Sequence, residues 1–268
     1  MIFDKQTAMK SALLILLIFS GIVLNAQIKE LKKQNVKGEF FKLDKLGYFY
    51  FAKENVLTKS DKNSNIICTY DDFSNGNISD FDVSDPLRIM IYYHDFNRLI
   101  FLDNNLSILR DPVLLDDLDL YNIDAIASSY DGGFWAFDNQ LNQMIRINQK
   151  LNLAQQGTNL YSVILGESID EILVSTNFII LKTNGNSIVI LDEFANYYML
   201  LELDGAYPIC VDNNVLYIMK NQELLSYNLK NKKQTKIPFL IEKITDFEVS
   251  GNFIYVLSEN SLITFQIL

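Results

Sequence analysis

The chain has 268 residues, 49% hydrophobic and 21% charged, which excludes a disordered or coiled-coil protein and suits one large domain or two small ones. A formal net charge of −10 argues against nucleic-acid binding through the phosphate backbone. Two cysteines, Cys68 and Cys210, are too few for a disulfide framework.

At the start, Lys5 and Lys10 accompany an apolar run from Ala12 to Leu24 that only Ser20 and Gly21 interrupt, and Ala26 stands where a cleavage site needs a small residue. This is the layout of a secretory signal peptide, so residues 1–26 are expected to be removed and residues 27–268 to form the folded domain. The run is short for a full membrane span, and no cysteine lies near the cut to carry a lipid. Cleavage would remove Lys5, Lys10 and Asp4, taking the net charge to −11. The mature chain is therefore expected to be exported, periplasmic or secreted, with no transmembrane segment.

After the short Gln27–Lys33 segment, strand-like runs follow in sets. The first set is Phe40–Leu46, Tyr48–Ala52, Val56–Lys59 and Ile66–Tyr70; the second is Phe81–Val83, Ile89–Tyr93, Leu99–Leu102 and Leu106–Leu109. The third comprises Ile123–Ile126, Gly133–Phe137, Met144–Ile147 and Leu151–Leu153; the fourth, Ile172–Val174, Phe178–Leu181, Ile188–Leu191 and Tyr197–Leu201. The fifth is Ala206–Val211, Val215–Met219, Leu224–Tyr227 and Thr235–Ile237. The sixth has only three runs, Ile244–Val249, Phe253–Leu257 and Leu262–Leu268. Short β-branched and aromatic runs bounded by Gly, Asn and Asp read as antiparallel meanders.

The repeat is sharpest in the third run of each set: RLIFLD, QMIRIN, SIVILD, ELLSYN and SLITFQ, ending at Asp103, Asn148, Asp192, Asn228 and Gln266, with spacings of 45, 44, 36 and 38. In the first set, Lys59 stands where the others are apolar. Four strands recurring at about 40 residues predict an all-β, six-bladed β-propeller. The orphan strand at residues 28–33 would pair with Leu262–Leu268, complete the sixth blade and close the ring. The pattern resembles the six-bladed propeller superfamily of the NHL and TolB-like kinds, and that resemblance implies a binding platform.

In such a ring the blade-joining linkers share one face with the turns between second and third strands. The linkers here are acidic: Asp71 and Asp72; Asp111, Asp116, Asp117 and Asp119; Glu167, Asp170 and Glu171; Glu202 and Asp204. Solvated loop charge explains them, and so would a docking face for a basic partner. Asp71, Asp72, Asp116, Asp117 and Asp119 form the candidate interaction face. A shared cation site near the axis is a further reading, although no loop carries calcium-loop spacing. Lys29, Lys32 and Lys33 on the closing strand, with Lys230, Lys232 and Lys233 on the blade beside it, form a candidate basic rim patch. Edge lysines also discourage strand-to-strand aggregation.

His94, the only histidine, falls at a hairpin turn, and no Gly-x-Ser-x-Gly is present, so no catalytic residue, cofactor or metal ligand is assigned. Trp135, Phe134 and Phe137 are read as packing between blades. Cys68 and Cys210 fall on blades separated by a third and are expected to be unpaired, buried thiols. The expected function is a noncatalytic scaffold binding a protein partner in the cell envelope, and it resembles the propeller component of the β-barrel assembly machinery in general role. The alternatives are a calcium-dependent propeller hydrolase, which needs carboxylates converging on the axis from the blade starts, and a carbohydrate-binding propeller with aromatics such as Tyr161 and Tyr207 near the linkers. No convergent acidic set is evident at the blade starts.

Overall fold

The computed structural model describes residues 28–268 apart from 206 and 242; the expected signal peptide, residues 1–26, lies outside the described residues. Six four-stranded antiparallel sheets are arranged as the blades of a β-propeller. The closing strand β1 is Ile28–Asn35. Blade 1 is β2 to β5 (Phe40–Leu43, Phe49–Lys53, Val56–Ser60, Ile66–Asp71), and blade 2 is β6 to β9 (Asp80–Asp82, Ile89–Tyr93, Arg98–Leu102, Val113–Leu114). Blade 3 is β10 to β13 (Ile123–Ser128, Phe134–Asp138, Gln143–Ile147, Leu153–Gln156), and blade 4 is β14 to β17 (Ile169–Val174, Phe178–Thr183, Ser187–Asp192, Tyr197–Glu202). Blade 5 is β18 to β21 (Ile209–Asp212, Val215–Lys220, Glu223–Asn228, Gln234–Pro238). Blade 6 is β22 to β24 (Ile244–Ser250, Phe253–Ser258, Ser261–Ile267) with β1 as its outer strand.

Closure runs as the sequence predicts: β1 pairs antiparallel with β24, from Ile28 opposite Ile267 to Asn35 opposite Ser261. Each blade buries both faces against neighbours, so its middle strands are apolar almost throughout. In blade 4, Ile179 and Leu181 pack toward blade 3, while Phe178 and Ile180 pack toward blade 5. One apolar cluster fills each blade boundary, the smallest being Phe41, Phe49, Phe51, Leu257 and Leu262 at the closing seam. Trp135 packs between blades 3 and 4.

The polar residue ending each third strand has a local cause. Oδ1 of Asp103 accepts from Asn105 N and Ser107 N, both at 2.8 Å, and Asn148, Asp192 and Asn228 hold their turns in the same way. These are Asx turns, in which a short side chain replaces backbone partners. Asp61 plays this part in blade 1 through Asn63 N and Asn65 N, so the first unit fits the repeat after all. Gln266 does not cap a turn, because it lies inside the β24–β1 ladder opposite Lys29. Lys59 is buried, at 4% exposure; its ammonium donates to Asn104 O of blade 2 at 2.7 Å and lies over the Tyr48 ring.

Several strand limits differ from expectation. Leu106–Leu109 is not the outer strand of blade 2: Leu106 is in left-handed backbone, Ile108 makes one bridge to Leu102, and pairing resumes only at Val113–Leu114. Pro112, lacking an N–H, sits at the interruption. In blade 3, Leu151 and Asn152 belong to the turn and the outer strand is Leu153–Gln156. The inner strand of blade 5 begins at Ile209.

Candidate functional site

The inner strands line an axial channel, and three of them are bulged. Register shifts fall between Ile123 and Ile126, Ile169 and Glu171, and Ile244 and Asp246. A bulge adds an unpaired residue and re-aims side chains; here Asp124, Asp170, Glu171 and Asp246 line the channel. With Asp80 they surround the upper cavity, about 380 Å³, and Asp82 and Glu248 line a lower one of about 150 Å³. Lys42 of blade 1 lies between the cavities, its Nζ 3.3 Å from Glu171 and 3.9 Å from Asp80.

This corrects the expectation that no acidic set converges at the blade starts. The signal was a recurring acidic residue just ahead of an apolar one: Asp80-Phe81, Glu171-Ile172 and Asp246-Phe247. Strand alternation alone does not reveal it, because bulges shift the side-chain phase.

Several of these carboxylates already have a structural task. Asp246 accepts from Phe41 N of blade 1 at 2.9 Å, Asp82 from Ser128 N of blade 3 at 2.9 Å, and Asp124 from Ile169 N of blade 4 at 3.4 Å. Asp212 of blade 5 accepts from Gly251 N of blade 6 at 3.0 Å. Four blade boundaries are thus clamped by one carboxylate each. A carboxylate accepting a backbone N–H is a stronger bond than a neutral pair.

Burial raises three of the channel acids. Asp80 is pushed up to about 6, Asp246 to about 7 and Glu248 to about 8, with Lys42 partly opposing burial in each. Burial acts to lower the Lys42 pKa, but Asp80, Glu171, Glu248 and Asp246 together hold the ammonium well above its usual range. The side chains of Lys42 and Asp80 keep 19% and 23% of their surface open to the lumen, so water reaches the pair and moderates its field. Among the described residues no group of three or more His, Cys, Asp or Glu is placed to hold a metal ion.

The blade linkers and the turns between second and third strands form the upper face. Here Asp72 caps a short 3-10 turn, accepting from Ser74 N and from Asn75 Nδ2 at 2.6 Å. Asn75 in turn accepts from Arg98. The residue before Arg98, Asn97, donates to Asp116 at 2.5 Å and to Leu120 O at 2.6 Å. Consecutive residues of blade 2 therefore bring the Asp71–Asp72 linker beside the Asp116–Asp119 linker. Asp71 accepts from Asn55, Asp119 from the Tyr121 hydroxyl, and Asp117 projects from a 3-10 turn. Around them stand Phe73, 82% exposed, Tyr121, 60% exposed, and Phe96. Tyr161 and Leu165 continue the exposed arc along the linker from blade 3 to blade 4. Composition hid these apolar residues, because the linkers read as charge alone.

In the expected basic rim patch, Lys32 and Lys232 turn away from each other. Lys32 turns to blade 1, donating to Lys62 O at 3.3 Å and Asn63 Oδ1 at 3.1 Å. Lys232 turns to blade 4, its Nζ 5.4 Å from the Tyr198 ring centroid. Lys230 and Lys233 flank the lower-face turn of blade 5, Lys29 lies opposite Gln266, and Lys33 faces the field of Glu259 on the upper side. The outer strands lie on neighbouring blades, with the ammoniums of Lys32 and Lys232 turned in opposite directions around the ring. His94 lies in an exposed turn beside Asp95. Cys210 is buried and Cys68 half-buried, both free thiols.

No protein-family model matches the chain, and no curated protein sequence matches it. Solved structures do, as propellers. The chain is similar to the WD40 domain of Neurospora crassa Pan2, with TM-score 0.64 and 9% identity, covering 91% of this chain and 96% of that one. It is similar to a catalytically inactive histidine-to-alanine form of virginiamycin B lyase from Staphylococcus aureus with quinupristin, with TM-score 0.60 and 11% identity over 90% and 100% of the two chains. It is also similar to PorZ, an essential bacterial surface component of the type-IX secretion system of Porphyromonas gingivalis, with TM-score 0.55 and 15% identity. That match covers 90% of this chain and 38% of PorZ. The class is the β-propeller, and likeness at these identities extends to the fold alone.

Proposed function

We propose that this chain is an exported, noncatalytic propeller scaffold that holds a protein partner in the cell envelope, as an accessory subunit of an assembly or secretion complex. The observation that carries this reading is the upper face of blade 2, where Phe73, Phe96 and Tyr121 stand exposed among Asp71, Asp72, Asp116, Asp117 and Asp119. Exposed aromatics within a charged rim are the composition of a protein-binding surface. The negative field selects a basic partner and speeds its encounter. The secretion setting draws support from the fold shared with PorZ and from the signal-peptide layout of residues 1–26.

A lyase reading finds less support. The lyase comparison involves a form made inactive by loss of a histidine, whereas the single histidine here, His94, sits in an exposed turn and does not line the axial cavities.

The test is capture from the organism's own envelope fraction by the immobilised mature protein, with the Asp116→Asn, Asp117→Asn, Asp119→Asn triple variant and a Phe73→Ser variant beside it. The same partner should be recovered severalfold less by the triple variant at low salt, and the gap should narrow at high salt. Equal recovery by folded variants at every salt concentration would remove the upper face from the proposal.

A further inference from the structure

The lower face of the ring, formed by the turns between first and second and between third and fourth strands, holds an arrangement that the scaffold reading leaves unused. The chain has four arginines. Arg98 donates to Asn75, and Arg146 to Asp131 and Gln155. The other two, Arg88 and Arg110, line one cavity of about 420 Å³ between blades 2 and 3. Neither has a carboxylate within salt-bridge distance among the described residues.

Arg88 is held in place without being neutralised. Its guanidinium lies 4.1 Å from the Phe101 ring centroid, while Nε and Nη2 are sealed from solvent and have no hydrogen-bond partner. An unpaired buried donor on a charged group costs more than a neutral one. Burial, and then the like charge of Arg110, push the Arg88 pKa down; Asp85 opposes them. Asp85 is the one acidic residue in the cavity wall, and it is committed to its turn: Oδ1 accepts from Leu87 N at 3.1 Å, and its carbonyl from Arg88 N at 2.9 Å.

The backbone explains why Arg110 is there. After Leu109 N bonds Phe101 O at 2.8 Å, the ladder of blade 2 breaks until Val113, which leaves Arg110 outside regular pairing at the cavity wall. Leu87, 66% exposed, and Leu109 stand on the same wall, and Gly132 and Gln149 of blade 3 close the far side. Two guanidinium groups with no carboxylate in salt-bridge distance fit an oxyanion, and the adjoining leucines fit an apolar body.

We propose that Arg88 and Arg110 form the head of a binding site for an anionic amphiphile, a phosphate or carboxylate group carried on an apolar chain that rests on Leu87 and Leu109. The anion takes donors from both arginines and relieves their mutual repulsion. Neutral amphiphiles leave that repulsion in place and bind weakly.

Calorimetric titration of the mature protein with hexyl phosphate, inorganic phosphate and hexanol tests the site. Hexyl phosphate should bind roughly tenfold or more tightly than either fragment. Arg110→Gln, which removes no packing contact named above, should abolish that preference while its melting temperature stays near that of the parent. Arg88→Gln should do the same at some cost in stability through loss of the Phe101 stack. Equal affinity for hexyl phosphate in the parent and Arg110→Gln, or no binding in the parent, would overturn the proposal. Sedimentation with phosphatidylcholine vesicles, with and without phosphatidylglycerol, then identifies the source. Arg110-dependent binding to the anionic vesicles alone assigns a lipid headgroup; retained hexyl phosphate binding without vesicle binding assigns a soluble amphiphile.

Discussion

Lys42 Nζ on the inner strand of blade 1 lies 3.3 Å from Glu171 Oε1 on blade 4, the opposite member of the ring. The pair bars the channel between the upper and lower cavities, and it joins blades that share no other boundary. Its stabilising effect depends on the protonation of the acids around it, because Asp80, Asp246 and Glu248 compete for the same ammonium.

The first prediction concerns pH. Asp80, Asp246 and Glu248 are raised to about 6, 7 and 8, so the folded ring holds protons that the unfolded chain has already released. Stability from these groups is fully present below their unfolded pKa values near 4 and is lost as pH rises through the folded ones. The melting temperature should fall from pH 5 to pH 9. Glu248 makes no hydrogen bond named here, so Glu248→Gln should be close to neutral at pH 5. At pH 9 it should stabilise by about 1 to 2 kcal/mol, a figure discounted for the water-accessible lumen. A flat melting profile in the parent would show that the channel acids ionise freely.

The interblade clamps give a second prediction. Asp82→Ala leaves Ser128 N without its acceptor at the boundary of blades 2 and 3, and denaturant unfolding should show a loss of about 1 to 3 kcal/mol. Asp82→Asn keeps an acceptor oxygen and should recover most of it. Equal losses from both would mean that charge, not the hydrogen bond, holds that boundary.

The ring was legible because its cause is local. The third strands of blades 1 to 5 each lead into an Asx-turn residue, and both faces of each blade must be apolar to pack on two neighbours, so Asp103, Asn148, Asp192 and Asn228 stand out in sequence. The closing strand was legible by counting, since three runs cannot complete a blade. The channel was not, because bulges at Ile123, Ile169 and Ile244 break the period-2 alternation that assigns a side chain to a face. Nor could the sequence separate Arg88 and Arg110 from Arg98 and Arg146. Only tertiary placement supplies Asn75 and Asp131 to one pair and withholds a carboxylate from the other.

Gly133 supplies a third prediction. A Cβ on this residue would lie 1.9 Å from Ile147 O, on backbone that belongs to the next strand of blade 3. Neither strand can yield without disturbing the Phe134–Ile147 pairing. Gly133→Ala should therefore destabilise by about 3 kcal/mol or more, well beyond an ordinary surface change. Gly166→Ala makes a useful contrast: it has open space around it and only its φ of 83° to strain. A Gly133→Ala protein as stable as the Gly166→Ala one would contradict the close approach of β11 and β12.

The last prediction tests closure itself. β1 pairs with β24 from Ile28 to Asn35 with one register shift between Glu30 and Lys32, and Ile28 packs against the apolar cluster between blades 5 and 6. At its far end Val36 N bonds Asn260 O at 2.9 Å, and Val36 packs at the closing seam. Removing Ile28–Asn35 strips β24 of its partner and exposes a row of backbone groups at the blade edge. It also cuts the covalent run from blade 6 into blade 1, where the apolar cluster is smallest. Since a propeller's blades stabilise one another in sequence around the ring, the damage should spread beyond blade 6. The truncated protein should unfold at much lower denaturant, and Cys210, buried on β18 beside blade 6, should react with a thiol reagent much faster than it does in the parent. Adding a peptide of residues 28–37 in trans should slow the Cys210 reaction by restoring the ladder. A truncation that melts within a degree or two of the parent, with Cys210 still protected, would show that the ring holds without its closing strand.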